Sequence, residues 1–418
     1  MQAIIITKYS IQFNYQNMVD HNEFKMNVLV LGVGKMGYGI LKDLVKQDDV
    51  EEIVAADANL KGAKAIVKRV GSDKIKRVEK IDVRDKKATI KLIKGFDVVA
   101  GGLPRPFCDQ AVEASIEAGV GWADIAANFG TIFSQNEAAA DAGVTVVPHI
   151  GLDVGIDRVL CGVGARKLDT VESLYVGCGG FPQKDTEGYN NPLKYKISWY
   201  WPFAVNSNLG SCHVLKGGKT VEIPILSDAE TIIFPEPLGK LEAYTNGNLN
   251  DVIEHLDLKE VKDAYAQTIR WPGHSGIWST LKELHILDTE PVNVKGNEIS
   301  PIELWYALGE KWLRYNPGEG DAICQRVIVS GIKDGGSASY TYEFMDFYDP
   351  EEDITAMART TGFPCSIVAQ MIARGEMDMP GVIHPAKIGY NQKLSDTFFK
   401  ELAKRRIEIS ESFQTPII

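Results

Sequence analysis

Short apolar runs alternate with amphipathic helical segments from residue 26 to about residue 151. The runs are continuous rather than alternating, which is typical of parallel strands covered on both faces. Between them, residues such as Ile40, Leu41 and Leu44 share one helical face. Strands are predicted at residues 28–31, 53–56, 78–83, 98–100, 122–126 and 144–147. This βα rhythm predicts an α/β domain over residues 26–151, with the doubly wound parallel sheet of a Rossmann fold.

The pattern changes after residue 151. Glycine-containing turns at Lys216–Lys219 and Asp334–Gly336 separate extended runs and predict hairpins. We therefore expect an α+β domain over residues 152–350, for substrate binding and dimerisation. Helical periodicity returns in residues 354–374 and 396–406. The run Gly362–Pro364 is expected to break the first of these helices, because proline favours the first turn of a new helix.

Residues 1–25 precede the first predicted strand and are interpreted as an N-terminal extension, with an extra strand or arm as the alternative. Their apolar run, residues 3–6, is short and no basic region precedes it, so a signal peptide is not predicted.

Composition narrows the function classes. The net charge of −11 argues against a nucleic-acid or anionic-membrane partner. No apolar stretch approaches the roughly 18–20 residues that a membrane span needs. The six cysteines show no metal-ligand spacing, so we expect no metal, reduced thiols and a cytoplasmic location. Cys108 and Cys365 are interpreted as small apolar residues rather than nucleophiles.

Gly32, Gly34 and Gly37 form a G-x-G-x-x-G motif between a buried strand and an amphipathic helix. In such motifs the first glycine makes a tight turn, the second lets the backbone approach a pyrophosphate, and the third lets helix and strand pack closely. Lys35 and Met36 lie in the same turn, where the free N–H groups of the helix favour phosphate. The motif predicts a nicotinamide dinucleotide cofactor, and a glycine-rich turn without a ligand is the alternative.

Asp57 ends the second predicted strand, twenty residues after Gly37. This is the position whose carboxylate accepts a hydrogen bond from the ribose 2′-OH of NAD. A 2′-phosphate would meet a like charge there. NAD is therefore favoured over NADP, although Lys61 and Lys64 lie within a helix turn.

Two further turns are expected at the same edge of the sheet. Asp82 and Val83 end the third predicted strand and are predicted to flank the adenine. Gly102, Leu103 and Pro104 follow the fourth strand and are predicted to lie near the nicotinamide ribose. Ordinary turn chemistry is the alternative for the glycine.

Five other stretches carry a signal of their own: GLDVGID (151–157), NPLKYKISW (191–199), TIRWPGH (268–274), TAMARTTGFPC (355–365) and GVIHP (381–385). With the cofactor motif, they resemble the saccharopine dehydrogenase family, closest to its lysine 6-dehydrogenases and its glutamate-forming saccharopine dehydrogenases. Val154 and Arg158 depart from the saccharopine pattern, which has proline and histidine at these positions.

The resemblance implies an NAD(P)-dependent dehydrogenase that oxidises the CH–NH₂ group of lysine to the 6-semialdehyde, which cyclises. A saccharopine dehydrogenase, which cleaves or forms a secondary amine between that semialdehyde and glutamate, is the alternative. A dinucleotide-binding protein without turnover is a further one. The resemblance also implies that residues 351–418 return to the dinucleotide domain, with Thr361–Cys365 beside the cofactor. A homodimer is expected.

Oxidation at an amine carbon requires an anchored substrate and a proton acceptor. Arg270 is predicted to anchor the substrate carboxylate, since its guanidinium matches a carboxylate bidentately; a structural salt bridge is the alternative. Lys196 and Tyr195 are predicted as further substrate contacts. The candidates for the proton acceptor are Asp124, His149, Asp153 and His274, which the sequence does not rank.

Overall fold

The computed structural model describes residues 4–10 and 24–416. The first elements are β1 (Ile4–Ser10), β2 (Met26–Leu31), α1 (Lys35–Leu44), β3 (Val50–Asp57), α2 (Leu60–Val70), β4 (Ile75–Lys80), α3 (Lys86–Ile93), β5 (Val98–Gly101), α4 (Cys108–Ala118), β6 (Gly121–Asp124), α5 (Phe129–Ile132), α6 (Asn136–Asp141), β7 (Thr145–Val147) and α7 (Ile156–Arg166).

The middle of the chain contains β8 (Thr170–Pro182), α8 (Glu187–Asn190), α9 (Trp201–Asn206), β9 (Ser211–Lys216), β10 (Lys219–Pro224), β11 (Glu230–Ile233), β12 (Lys240–Gly247), α10 (Asn250–His255), β13 (Asp263–Arg270), α11 (His274–Glu283), β14 (Val292–Val294), β15 (Asn297–Ile299), α12 (Pro301–Trp312), β16 (Asp321–Lys333) and β17 (Gly336–Phe347). The last elements are α13 (Ala356–Ala373), β18 (Gly381–Val382), α14 (Pro385–Tyr390), α15 (Gln392–Lys404) and β19 (Ser410–Pro416).

The chain divides into two compact units. Unit 1 contains the described residues up to Asp169, the segment Glu254–Asp257 and the residues from Ala358 onward. Unit 2 contains Thr170–Ile253 and Leu258–Met357. The limits at residues 151 and 350 that were drawn from the sequence stay predictions.

Unit 1 is built on a seven-stranded parallel sheet in the order β18-β7-β6-β5-β2-β3-β4. Strand succession changes direction at the β2–β5 pair, and ligands of such sheets bind beyond the carboxyl ends of the strands at this point. A core of apolar residues from the sheet and from α4 covers one face. The predicted doubly wound sheet is confirmed.

Two strands of this sheet differ from the prediction. β4 begins and ends three residues earlier than predicted, because this edge strand is largely polar while the apolar Ile81 and Val83 are buried in the turn that follows it. β18 was not predicted at all. This strand consists of two residues of the C-terminal segment and pairs with β7. Two residues are too few to show the hydrophobic pattern of a strand.

The predicted break at Pro364 is wrong, since α13 runs through it without interruption. A proline inside a helix removes one hydrogen bond, at a cost of about 3 kcal/mol. Close packing against α1 offsets this cost. A Cβ on Gly39 would lie 2.0 Å from the carbonyl oxygen of Ala358, and one on Gly362 would lie 2.6 Å from the nitrogen of Ile40. The two helices therefore cross with their backbones in contact, and the C-terminal segment does return to the parallel sheet.

Unit 2 contains a mixed sheet in which β8 and β13 are parallel, whereas β17-β16-β8 and β13-β12-β11 run antiparallel. Both predicted hairpins are present. The first, β9–β10, turns at Gly217 and Gly218, and the second, β16–β17, turns at Asp334 and Gly335. All four turn residues have positive φ angles, as a two-residue type I′ turn requires.

The predicted N-terminal extension is described only in part. Residues 4–10 form β1, which pairs antiparallel with β19. Residues 1–3 and 11–23 lie outside the described part of the chain. In the described residues, every helix is too short or too polar to cross a membrane.

Candidate active site

The glycine-rich loop after β2 is built from close backbone contacts. A Cβ on Gly32, which has a φ of +95°, would lie 2.6 Å from the carbonyl carbon of Gly102, and one on Gly37 would lie 2.2 Å from the carbonyl oxygen of Gly32. A Cβ on Gly34 would meet no protein atom within 4 Å. The backbone is thus open to a ligand at Gly34 and closed by packing at the other two glycines, which is the arrangement that a pyrophosphate needs.

The N-terminus of α1 begins at Lys35 and Met36, directly after Gly34. In the part of the chain that the structure describes, no side chain caps this terminus and no acidic residue lies in its first turn. The free N–H groups and the positive end of the helix dipole therefore suit phosphate groups. The residues present fit the predicted dinucleotide.

Asp57 is tied to this loop by its carboxylate. One oxygen accepts a hydrogen bond from the backbone nitrogen of Val33 (2.7 Å), and the other accepts from Asn59 (2.7 Å). The negative charge is thus fixed at the carboxyl end of β3. A carboxylate has further lone pairs, so it can still accept a bond from a ribose hydroxyl.

The other predicted cofactor residues follow neighbouring strands. Asp82 and Val83 lie in the turn after β4 rather than at its end. Arg84 binds the Asp82 carboxylate (Nη2–Oδ2 2.6 Å) and lowers the pKa of Asp82 to about 2. Gly102 contacts the glycine-rich loop directly, and Leu103 and Pro104 continue from it.

Asp124 is fully occupied by its own turn. Its carboxylate accepts hydrogen bonds from the indole nitrogen of Trp122 (2.7 Å) and from the backbone nitrogens of Ala126 (2.6 Å) and Ala127 (2.7 Å). Burial raises the pKa of Asp124, and these hydrogen bonds oppose the shift. We conclude that Asp124 shapes the turn after β6, which does not suit the predicted role of proton acceptor.

His149 follows β7 and is buried, with a φ of +53°. Its ring lies 4.6 Å from that of Phe129, which in turn lies 4.8 Å from the ring of His384. His384 also stacks on His255, at 4.5 Å. The predicted catalytic candidate therefore belongs to a histidine and phenylalanine cluster that sequence inspection missed, because its members come from four distant segments.

Asp153 belongs to a cluster of charged residues in and directly after the GLDVGID stretch, together with Asp157 and Arg158. Its carboxylate is 39% exposed and lies 4.0 Å from Nη1 of Arg158. Arg158 is buried and pairs with Asp157, whose carboxylate also accepts from the nitrogen of Gly155 (2.8 Å). Burial raises the pKa of Asp157. Of the four candidates for the proton acceptor, Asp153 is the carboxylate that combines solvent access with a nearby cation.

Cys108 and Cys365 are buried, and burial raises the pKa of both thiols, which does not suit a nucleophile. The Cys365 sulfur lies 3.4 Å from the carbonyl oxygen of Ala123, near the carboxyl end of β6.

In unit 2, Arg270 at the end of β13 is partly buried beside aromatic rings. Its Cζ lies 5.6 Å from the ring centre of Tyr195, and its Nη1 donates to the carbonyl oxygen of Ile269 (2.8 Å). Its Nε atom is buried without a hydrogen-bond partner, and no carboxylate of the described residues pairs with it. The hydroxyl of Tyr315 is also buried without a partner. This region therefore offers a cation and a hydroxyl to an incoming acceptor.

Lys196 has a different environment. Its side chain is buried, and its Nζ atom lies 3.2 Å from Oε2 of Glu319 and donates to the carbonyl oxygen of Arg314 (3.1 Å). The Glu319 carboxylate also accepts from the nitrogens of Gly188 (2.6 Å) and Asn316 (2.9 Å). The ammonium charge is thus satisfied inside unit 2, in contrast to its predicted role as a substrate contact.

His274 begins α11 and is buried, with its Nδ1 atom 3.2 Å from the carbonyl oxygen of Leu193. Burial and then the charge of Arg270 lower the pKa of His274 to about 3. A histidine with this pKa is neutral at pH 7 and a weak base, so it suits substrate contact better than proton transfer.

Sequence reasoning missed Arg158, Asp157, Glu319 and Tyr315 as parts of these two regions. Asp157 and Arg158 lie at and directly after the end of the GLDVGID stretch, whereas Tyr315 and Glu319 lie in none of the five stretches. Which acidic residue faces which cation depends on the fold.

Two family models match the chain. The saccharopine dehydrogenase NADP binding domain matches residues 28–147, and the saccharopine dehydrogenase C-terminal domain matches residues 151–407. The saccharopine dehydrogenase (NADP(+), L-glutamate-forming) of Schizosaccharomyces pombe is 25% identical over 457 residues, which cover 92% of this chain and 99% of the relative. The mitochondrial alpha-aminoadipic semialdehyde synthase of Bos taurus is 24% identical. The alignment covers 86% of this chain and 45% of that relative.

Among solved structures, apo histidine-tagged saccharopine dehydrogenase (L-Glu forming) from Saccharomyces cerevisiae has the same fold. It matches with a TM-score of 0.79 at 22% identity, over 93% of this chain and 99% of that chain. The two family models and the relatives identify the chain as an NAD(P)-dependent oxidoreductase that acts on amino acids. The chain belongs to the saccharopine dehydrogenase family.

Proposed function

We propose that the chain is a glutamate-forming saccharopine dehydrogenase. Its substrate would be saccharopine, a secondary amine that joins the side-chain nitrogen of lysine to a carbon of glutamate. Two relatives that carry this name align over 99% and 96% of their own lengths. These relatives favour saccharopine over free lysine, the substrate that the resemblance first implied.

The guanidinium of Arg270 is the observation that carries this proposal, because it has no carboxylate partner among the described residues and its Nε atom is buried without an acceptor. A cation that is withdrawn from water is costly unless an anion balances its charge. Saccharopine has three carboxylates and lysine has one. Saccharopine therefore offers more anionic groups that could pair with Arg270. The buried hydroxyl of Tyr315 supplies a further donor for the same ligand.

Asp153 is proposed to accept the proton of the substrate amine, because its carboxylate reaches solvent. A nicotinamide dinucleotide held at the glycine-rich loop would take up the hydride of the lysine-derived carbon that bears the nitrogen. Water adds to the resulting imine, and the bond between this carbon and the nitrogen breaks. Besides the reduced cofactor, the products are the semialdehyde, glutamate and one proton. In this proposal the guanidinium of Arg158, whose Nη1 atom lies 4.0 Å from the Asp153 carboxylate, helps to position that carboxylate.

NAD(H) rather than NADP(H) is proposed as the preferred cofactor of this chain, in contrast to its relatives, whose names specify NADP(+). The support is the fixed carboxylate of Asp57 beside the glycine-rich loop. Asp57→Asn should raise the kcat/KM with NADP relative to NAD by about ten-fold, since a like-charge contact is removed. Glu51→Gln, at the exposed start of the same strand, should leave this ratio unchanged.

The test is an assay of cofactor reduction with saccharopine, lysine and ornithine, each with NAD and with NADP. We expect turnover of saccharopine with one glutamate released per reduced cofactor. Turnover of lysine with no glutamate would instead establish the lysine 6-dehydrogenase. Tight cofactor binding with no turnover of any amine would establish a binding protein.

A further inference from the structure

Helix α11 begins with a histidine whose two ring nitrogens have different environments. Nδ1 of His274 lies 3.2 Å from the carbonyl oxygen of Leu193, and a carbonyl oxygen only accepts hydrogen bonds, so Nδ1 carries the proton. Burial and then the charge of Arg270 lower the pKa of His274, so the imidazole is neutral at pH 7. Nε2 therefore has a lone pair, and no donor of the described residues bonds to it. On a side chain that is 3% exposed, such an acceptor favours a ligand that donates a hydrogen bond.

Arg270 and His274 lie beside the same aromatic ring. Cζ of Arg270 lies 5.6 Å from the ring centre of Tyr195, and the centre of the imidazole lies 5.8 Å from it. Unit 2 thus places a cation and a neutral hydrogen-bond acceptor around one ring. An α-amino acid has the complementary pair of groups, because a carboxylate and an ammonium share one carbon atom.

The acidic residue opposite Arg270 is committed to helix α11. Glu242 of β12 is the cross-strand partner of Arg270 in β13. Its carboxylate accepts hydrogen bonds from the backbone nitrogens of Gly273 (3.0 Å) and Ser275 (2.7 Å), which lie on either side of His274 in the chain. Glu242 therefore fixes the turn that holds His274 and leaves the charge of Arg270 to a ligand.

We propose that Arg270 and His274 form a subsite for the α-amino-acid end of the lysine part of the substrate. The guanidinium of Arg270 binds the carboxylate, and Nε2 of His274 accepts a hydrogen bond from the adjacent ammonium. This assignment rests on the proposed function, because it concerns the same substrate site. In saccharopine only the lysine part has a primary ammonium beside a carboxylate, since the nitrogen of the glutamate part is the secondary amine.

The surroundings of His274 favour an ammonium over other groups. A carboxylate at Nε2 would meet a lone pair instead of a proton, which selects against a second acidic group at this position. The ring centres of Tyr244 and Trp278 lie 6.5 Å and 5.9 Å from that of the imidazole. Aromatic rings of this kind attract cations. The subsite therefore selects a group that is positively charged and donates hydrogen bonds.

Binding of L-lysine and of 6-aminohexanoate to the full chain tests the subsite, because these two ligands differ only in the α-ammonium. In isothermal titration calorimetry, wild type should bind lysine about ten-fold or more tightly, as expected for one charge-assisted hydrogen bond. His274→Asn keeps a donor for the carbonyl oxygen of Leu193 but loses the acceptor at Nε2, so it should bind both ligands about equally. His213→Asn, at an exposed histidine of β9, should keep the preference for lysine.

His274→Gln is the conservative variant. The carbonyl oxygen of its longer side chain can take the place of Nε2, so it should recover most of the preference. Circular dichroism checks that each variant remains folded. Equal binding of the two ligands by wild type, or a preference for lysine that survives in His274→Asn, would overturn the subsite. Saccharopine turnover without the preference would contradict the subsite alone, whereas the preference without saccharopine turnover would contradict the proposed function alone.

Discussion

The dinucleotide loop of unit 1 and the Arg270 region of unit 2 are built in opposite ways. The loop is made of backbone, with Gly32, Gly37 and Gly102 so close that a Cβ at any of them would clash. The Arg270 region is made of side chains, among them Tyr195 and Tyr315. The first region therefore tolerates only one residue type at each key position, whereas the second could be assembled from many.

This difference explains why the dinucleotide loop is easier to recognise in a sequence than the Arg270 region.

Within unit 2, Lys196 and Arg270 are both cations in stretches that resemble the family, and both were predicted as substrate contacts. Lys196 has an internal carboxylate partner and Arg270 has none in the described residues. Residue type alone does not separate a structural cation from one that is available to a ligand.

Lys196→Met should have the largest effect on stability. It leaves the buried Glu319 without its cation, and breaking such a pair costs about 3–5 kcal/mol. Six of the seven tryptophans lie between residues 199 and 312, so urea unfolding followed by tryptophan fluorescence reports on unit 2. Lys262→Met removes an exposed ion pair with Glu172 and should leave the unfolding midpoint almost unchanged, because water screens such pairs. A stable Lys196→Met with a raised KM would return Lys196 to the substrate site.

Arg270→Ala should lower kcat/KM for saccharopine, because the substrate carboxylate loses its partner. The decrease should correspond to a loss of about 2–5 kcal/mol of transition-state stabilisation. Stability should change little, since Arg270 holds no carboxylate of the described residues. Arg270→Lys should recover part of the loss, because it keeps the positive charge but loses the planar guanidinium that binds a carboxylate bidentately. Arg314→Ala, which removes an exposed arginine paired with Glu310, is the matched control. Equal losses in both variants would contradict the assignment.

Most of the fold was predictable from periodicity and turn chemistry. The parallel strands, both hairpins and the C-terminal helices follow from patterns of a few residues. The position of β4, the existence of β18 and the continuity of α13 through Pro364 did not, because each depends on packing against a distant element. Backbone contact between Gly39 and Ala358 decides the last case.

The candidate site was predictable where it consists of backbone. The spacing of the glycine motif and Asp57 predicted a turn between a strand and a helix with a carboxylate beside it, and the structure shows both. Cofactor binding by these residues stays a prediction. The proton acceptor could not be ranked, because its assignment depends on hydrogen-bond partners. Asp124 is occupied by three close N–H donors, and the lowered pKa of His274 makes it a weak base. His149 packs against Phe129 in a buried cluster, so Asp153 is the proposed acceptor.

The pH dependence of stability should show that His274 is held neutral. Its pKa is about 3 in the folded protein and near 6.5 in an unfolded chain. Between these values the unfolded state binds a proton that the folded state does not, so stability falls as the pH falls through this window. From pH 6.5 to about pH 5 the loss is about 2 kcal/mol. His274→Phe should remove this part of the slope in urea unfolding at the two pH values, and an unchanged slope would argue that the imidazole is charged.

Gly34→Ala should have the smallest effect and separates binding from folding in the loop. A Cβ at Gly34 meets no protein atom within 4 Å, so the unfolding midpoint should not change. The same methyl group would lie where the backbone approaches the pyrophosphate, and the dissociation constant for the dinucleotide should rise about ten-fold, or about 1.4 kcal/mol. Gly276→Ala in α11, which also meets no neighbour within 4 Å, should leave this constant unchanged. Unaltered cofactor affinity in Gly34→Ala would mean that the ligand does not cross the loop at this residue, and the contrast between a backbone-built and a side-chain-built region would then fail for unit 1.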